Sequence, residues 1–167
     1  MAQLHNRECF KPIHKKDLTN IEKKWVLELL IFLTEKKSGE LKARHCINSI
    51  PQHQYMNHEE VSSPMVSTEW TILTLVIEAY KNCNIGTGNI PNAFIQMNHL
   101  ITDKDGHKMI MRMQRKVVEI LCQIDPTYKD YMIEEQGQPT LYVHIMKIIY
   151  GLLVSAMLFY EKLATNL

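Results

Sequence analysis

The first apolar pattern of the chain begins at Thr19 and predicts a short helix. Thr19 and Glu22 have the spacing of a capping box, in which each side chain binds the backbone N–H of the other residue. Apolar residues then repeat at helical spacing, at Ile21, Trp25, Leu29 and Phe32. The periodicity blurs within residues 30–33, where a buried strand would have the same pattern. We therefore predict a helix that gives way to a hairpin.

The turn of that hairpin is predicted at residues 37–39, where polar residues precede a glycine that can adopt positive φ. On either side, Ile31–Glu35 and Glu40–Cys46 are short segments able to pair. Residues 47–64 are rich in amides, histidine and proline, so we predict a loop there.

Further elements follow in the second half of the chain. A helix is predicted from Ser67, with one apolar face formed by Trp70, Leu73, Val76, Ile77 and Tyr80. A short strand is predicted at Cys83–Gly88, and a turn at Asp103–Gly106. A strand follows at Met109–Met113, with its methionines on one packed face. The next predicted element is a helix at Val117–Ile124, which Pro126 ends. Then come a hairpin of Tyr131–Glu135 and Leu141–Ile145, with Glu134 and Glu135 in solvent, and a helix from about Leu152 towards Leu163. Helices that alternate with hairpins are typical of the α+β class.

Composition and charge allow one domain with a hydrophobic core. The chain has 167 residues, of which 46% are hydrophobic, and its 19 basic residues nearly balance 18 acidic ones. Near-neutral charge does not favour a nucleic-acid-binding protein, but ten basic residues concentrate in residues 7–46. They are Arg7, Lys11, Lys15, Lys16, Lys23, Lys24, Lys36, Lys37, Lys42 and Arg44. The cluster either contacts phosphate or forms a solvated basic face.

The four cysteines and the apolar segments indicate an intracellular protein. Cys9, Cys46, Cys83 and Cys122 form no CxxC pair, which favours buried free thiols in a reducing compartment. The basic N-terminus is unlike a secretory signal. The longest uncharged run near the C-terminus, Ile148–Tyr160, has thirteen residues and is too short to span a membrane as a helix.

Two strings in a fixed order carry the candidate chemistry. Asn89–Gln96 reads NIPNAFIQ, and Lys147–Gly151, about fifty residues later, reads KIIYG. In this order and at this distance they resemble the first and second palm motifs of a Ty1/copia-type reverse transcriptase. Further similar strings are Gly39–Arg44, Ser63–Ser67 and most of Tyr142–Leu163, so the similarity runs from about Phe10 to Leu163.

The resemblance implies the fingers and a partial palm of a polymerase, with an open antiparallel sheet and packed helices. Residues 1–167 would form a single partial domain, about 1–66 fingers-like and about 67–167 the first part of the palm. The family synthesises DNA on an RNA template from a DNA primer and deoxynucleoside triphosphates, by nucleotidyl transfer with two Mg²⁺ ions.

The family's roles transfer to individual positions of this chain. Asn89 occupies the position of the first metal-binding aspartate, and the backbone carbonyl of Ile90 would face the second metal. The backbone amides of Asn92 and Ala93 would bind phosphates, and Phe94 would exclude a ribose 2′-hydroxyl. In a separate region, Lys42 and Arg44 resemble the pair that clamps the triphosphate, and Tyr150 and Gly151 would lie against the incoming nucleotide and the template.

Asn89 also predicts that this chain alone is inactive. Asparagine keeps the shape of aspartate but lacks the charge on which Mg²⁺ relies. The family's two paired aspartates follow the second motif, and residues 152–167 do not contain them, so we expect no intact metal site. The alternatives are a retained nucleic-acid- or protein-binding module, able to self-associate through an open sheet edge, or a relic without function. We expect a location in the cytoplasm or nucleus and no membrane insertion.

Overall fold

One mixed sheet organises the molecule. The structure, a computed structural model, describes residues 1–54, 56–57, 61–64, 66–86, 88, 90, 93–96, 106 and 108–166. Its strands are β1 (Phe10–Ile13), β2 (Leu27–Glu35), β3 (Leu41–Asn48), β4 (Ile110–Gln114), β5 (Ile133–Glu135) and β6 (Gln138–Ile145). Its helices include α1 (Ala2–Asn6), α2 (Asn20–Lys24), α3 (Thr68–Tyr80), α4 (Lys116–Ile124) and α5 (Ser155–Asn166). Short 3₁₀ turns lie at Lys15–Asp17, Ile50–Gln54, Phe94–Gln96 and Pro126–Tyr131. The α+β class is confirmed.

The strand order is β1-β6-β4-β2-β3, and β5 also pairs with β6. Of the five pairings among the described strands, that of β2 with β4 is parallel and the other four are antiparallel. The expectation of an antiparallel sheet is therefore wrong at its centre. A parallel pair needs a long connection between its strands, and here the chain passes through β3 and α3 before it returns as β4.

The register divides the sheet into two faces. We call the core face the side that carries Phe10, Leu27, Ile47, Met111 and Val143, all of them buried. Helix α4 and the Pro126–Tyr131 turn cover this face with Val118, Leu121 and Tyr128. The methionines of residues 109–113 are buried there together, as their alternation predicts.

We call the polar face the opposite side, which carries Lys11, Glu28, Arg44, Arg112 and Tyr142. A small apolar cluster on this face consists of Leu18, Ile110 and Tyr142, with Ile13, Val26 and Ile133 packed around it. Around that cluster lie ion pairs and exposed basic side chains. The polar face is therefore only partly covered by protein.

The capping box at Thr19 is confirmed, but the helix that it begins is shorter than predicted. The Thr19 hydroxyl accepts from the Glu22 N–H, and the Glu22 carboxylate accepts from the Thr19 N–H. Helix α2 ends at Lys24, and Leu29 and Phe32 lie on β2. Pairing with β3 and β4 outweighs the helical spacing of these residues. The hairpin is confirmed and is longer than predicted.

Most of the remaining elements are confirmed with shifted ends. The α3 helix begins after Ser67, whose hydroxyl accepts from the Trp70 N–H. The strand β4, the helices α4 and α5 and the β5–β6 hairpin lie at their expected places. The predicted loop is wrong at its start, because Ile47 and Asn48 end β3. The strand at residues 83–88 is also wrong, since the described residues Cys83–Gly86 and Gly88 belong to none. Most of the predicted turn, residues 103–105, lies outside the described residues.

Burial of the thiols is confirmed only in part. All four cysteines are free, and Cys9 is buried, but Cys83 is exposed. Within the described residues, no helix combines the length and the apolar character needed to cross a membrane.

Candidate functional site

The second motif lies against the outer edge of the sheet. Strand β3 is an edge strand, and its residue Ile47 is paired with Leu29 on one side only. On the other side the Ile47 N–H donates to the Tyr150 carbonyl at 2.8 Å. This single hydrogen bond joins the turn that carries the second motif to the strand that carries Lys42 and Arg44.

Gly151 makes that approach possible. Its φ of +99° is unfavourable for residues with a side chain. A Cβ atom at this position would lie 2.5 Å from the Ile47 nitrogen and 2.6 Å from Cys46 Sγ, much closer than van der Waals contact. Both the backbone angle and the available space therefore require glycine here.

The first motif contacts the second through aromatic rings. Phe94 lies at the start of a 3₁₀ turn, and its ring meets that of Tyr150 edge to face, with centroids 4.7 Å apart. Phe159 of α5 meets Phe94 in the same manner at 5.8 Å. Helix α5 also reaches the motif through Lys162 Nζ, which donates to the Gln96 carbonyl at 3.4 Å. Three of the predicted site residues, Phe94, Tyr150 and Gly151, are thus brought together.

The basic pair lies near this cluster but not in it. Lys42, Arg44 and Cys46 alternate along β3 and project from the polar face, and Cys46 Sγ lies beside Gly151. At about 3.4 Å per residue, Arg44 is ~7 Å and Lys42 is ~14 Å along the strand from Cys46. Both side chains are exposed, and neither forms an ion pair with a described residue. They are available to an external anion.

Of the other four predicted site residues, the structure describes only two. Ile90 is exposed and Ala93 is half-buried. Asn89 and Asn92 lie outside the described residues.

The side chains at this cluster do not suit Mg²⁺. Its described members are aromatic, aliphatic, thiol or basic, and Asn89 contributes a neutral amide to the motif. Mg²⁺ is held in proteins through carboxylate oxygens. Among the described residues, no group of three histidine, cysteine, aspartate or glutamate side chains is arranged to hold a metal. We assign no catalytic step to a metal here.

Gln52 supports the site and was missed by the sequence analysis. It is fully buried within the 3₁₀ turn that follows β3. Its Oε1 accepts from the Leu153 N–H at 3.1 Å, and its Nε2 lies 3.8 Å from Met109 Sδ. Gln52 therefore fixes the chain just beyond Gly151. No sequence signal distinguishes it from the neighbouring amides of a predicted loop.

A charged network on the polar face was also missed. Arg112 of β4 forms an ion pair with Glu28 of β2. Glu135 forms an ion pair with Lys15 and accepts from the Tyr142 hydroxyl at 3.0 Å, so the expectation that Glu135 lies in solvent is wrong. Burial raises the pKa of the Glu135 carboxyl, but the hydrogen bonds from Lys15 and Tyr142 outweigh it, and the pKa is lowered. Burial and the Glu135 carboxylate raise the pKa of Tyr142.

Comparisons with known proteins give no relative of this chain: no family model, no curated protein and no solved structure matches it. The motif resemblance rests on the residues themselves.

Proposed function

We propose that this chain is a reverse-transcriptase-like fingers and palm fragment that binds nucleic acid on the polar face of its sheet and does not polymerise. The observation that carries the proposal is the contact of Tyr150 and Gly151 with β3. It aligns the second motif with Phe94 of the first motif and with the strand that carries Lys42 and Arg44. The family resemblance implies that the two motifs and the basic pair all face one incoming nucleotide.

Charge on the polar face supports binding to a phosphate backbone. Glu28 neutralises Arg112 at the centre of the face, whereas Lys42 and Arg44 on β3 are exposed. Arginine and lysine side chains in this state bind phosphate oxygens, and they release counterions from the nucleic acid when they do so. The near-neutral net charge is compatible with such binding because the cations are unevenly distributed.

The absence of polymerisation follows from residue chemistry. Two-metal nucleotidyl transfer depends on carboxylates that hold both ions between the primer hydroxyl and the triphosphate. The amide of Asn89 carries no charge, so the first metal position has lost a ligand. Loss of such electrostatic stabilisation lowers a rate by many orders of magnitude.

A primer-extension assay tests the catalytic part of the proposal. We expect no extension of a DNA primer on an RNA template with Mg²⁺ and all four deoxynucleoside triphosphates. Extension above a no-enzyme control would contradict this, provided that Asn89→Ala abolishes it. That variant separates activity of this chain from a contaminating polymerase.

A binding assay tests the interface. Fluorescence anisotropy with a labelled RNA–DNA duplex compares the wild type with Lys42→Gln/Arg44→Gln. We expect binding to weaken by about tenfold, the scale of one or two charge-assisted hydrogen bonds. The matched control is Lys116→Gln/Lys129→Gln, which removes the same charge beside α4, on the core-face side of the sheet. Equal weakening by both double variants would contradict a specific interface.

The relic alternative predicts a different physical state. A product without function is expected to lack fixed tertiary packing, with a weak near-UV circular dichroism signal and dye binding. A cooperative unfolding transition with a near-UV signal would instead support a retained module, because the core face buries a continuous set of side chains.

A further inference from the structure

A shallow pocket of about 470 Å³, which is open to solvent and which we call the cavity, lies on the polar face at the edge opposite β3. It is lined by His14, Lys15, Lys16, Lys23 and Ile133. Ile133 belongs to β5, and the lysines come from the 3₁₀ turn after β1 and from α2. Four strand spacings of ~4.8 Å, about 19 Å across the sheet, separate β1 from β3, so the cavity and Arg44 lie at opposite edges of the sheet. It is therefore a separate place on the same face.

Several contacts hold the walls of the cavity in place. Lys15 is bound to Glu135, and its Nζ lies 5.8 Å from the centre of the Tyr142 ring. His14 stacks on Tyr131 with ring centroids 4.4 Å apart. The capping box at Thr19 fixes the start of α2 and thus the position of Lys23. The His14 and Lys15 side chains are therefore held in place, and they lose little conformational entropy when a ligand binds.

The charge of the cavity selects an anion. Lys15, Lys16 and Lys23 contribute three positive charges, and Glu135 subtracts one, which leaves two. The ion pair occupies Lys15, whereas Lys16 and Lys23 are exposed and form no ion pair with a described residue. Two uncompensated ammonium groups at one cavity suit the oxygens of a phosphate group.

The rest of the lining suits an organic group attached to that phosphate. Ile133 and the aliphatic stems of the lysines form apolar wall, and the His14 ring offers a flat surface. We propose that this cavity binds a phosphate ester, with Lys16 and Lys23 at the phosphate and His14 and Ile133 against its organic part. The inference goes beyond the proposed function, because it requires neither Lys42 nor Arg44.

The phosphate ester has two possible sources, a free nucleotide and the backbone of a nucleic acid. Isothermal titration calorimetry with adenosine monophosphate and with a short single-stranded RNA distinguishes them. Binding of the mononucleotide indicates a free nucleotide as the ligand. Binding of the RNA alone, weakened by the cavity variant, indicates a backbone phosphate.

The decisive variant is Lys16→Gln/Lys23→Gln, and both positions are exposed, so the fold is expected to survive. We expect this variant to lower the affinity for the ligand by about tenfold. Lys16→Arg/Lys23→Arg is expected to retain the affinity because the charge remains. Lys116→Gln/Lys129→Gln is the matched control and leaves affinity unchanged. Near-UV circular dichroism of each variant verifies its fold.

Two results would overturn the proposal. One is the absence of binding by both the mononucleotide and the RNA. The other is equal affinity for wild type and the glutamine variant. A failure of the proposed function can be distinguished from these two results. Lys42→Gln/Arg44→Gln is expected to weaken duplex binding without changing mononucleotide binding.

Discussion

Gly151 shows how one residue determines whether the second motif can lie against the sheet. Its Cβ-free backbone fits against Ile47 and Cys46, and its φ is positive. We expect Gly151→Ala to lower the free energy of unfolding by about 3 kcal/mol, because it combines backbone strain with overpacking. Urea-induced unfolding followed by circular dichroism measures the loss.

Gly137 provides the matched control for that prediction. It also has positive φ, +73°, but a Cβ there would meet nothing within 4 Å. Gly137→Ala therefore isolates the backbone term, which we expect to cost about 1 kcal/mol. Equal losses for the two variants would show that the close approach to β3 contributes nothing.

His144 makes stability depend on pH. Burial first, and then the positive charges of Lys108 and Lys11, lower the pKa of His144, although Glu22 opposes them. The unfolded state consequently binds a proton at higher pH than the folded state does, so stability is full above about pH 6.5 and falls as the pH decreases. We expect the melting temperature to decrease as the pH falls from about 6.5 to about 5.5.

A substitution identifies the group responsible for this dependence. His144→Gln removes the proton-binding site, so the decrease over that pH range is expected to become smaller. It does not vanish, since burial also lowers the pKa of His45. An unchanged pH profile in the variant would assign the effect to other groups.

At the scale of elements, α3 contrasts with α4. Both helices are rich in apolar residues, but α3 has no buried residue and its Trp70 is 64% exposed, whereas α4 buries Val118 and Leu121. We expect Leu73→Ala to change the unfolding free energy by less than about 0.5 kcal/mol and Leu121→Ala to lower it by about 3 kcal/mol. Urea unfolding of the two variants provides the comparison, and similar losses would mean that α3 packs as tightly as α4.

Local signals predicted the elements that depend on nearby residues. The Thr19 capping box, the start of α3 at Ser67 and the alternating methionines of β4 were readable because each effect acts within a few residues. The extent of β2 was not readable, because its strand conformation depends on pairing with β3 and β4, and β4 lies about eighty residues away in sequence.

The candidate site also combines residues that local signals identified with contacts that they could not reveal. The motif strings identified Phe94, Tyr150 and Gly151, which the structure brings into one cluster. Their support by Gln52 joins positions 101 residues apart, and the Lys15–Glu135 pair joins positions 120 apart. Such pairings leave no periodic pattern in a single sequence, so hydropathy and spacing could not predict them.

At the scale of the whole molecule, one sheet connects the two parts of the chain. Strands β1, β2 and β3 come from residues 1–66, and β4, β5 and β6 come from residues 67–167. Their interleaved order places the basic β3 edge and the lysine-lined cavity on a single face, at opposite edges of the sheet. A polyanion that spans the face would contact both edges, whereas a small anion would contact one.

The salt dependence of duplex binding reports how many phosphates the lysine and arginine side chains of the polar face neutralise. For B-form DNA the logarithm of the binding constant falls with the logarithm of salt concentration, with a slope of about −0.9 for each phosphate neutralised. Removing Lys42 and Arg44 together is therefore expected to make the slope shallower by about 1.8. Anisotropy titrations of a labelled duplex at several salt concentrations measure it.

The other double variants decide how far the duplex extends over the polar face. Lys16→Gln/Lys23→Gln changes the slope by a similar amount only if backbone phosphates reach the cavity, and leaves it unchanged if the cavity holds a small ligand. Lys116→Gln/Lys129→Gln is expected to leave the slope unchanged, because these lysines lie on the helix and the turn that cover the core face. Equal changes in all three variants would mean that the duplex senses only net charge, and no face of the sheet would then be its binding surface.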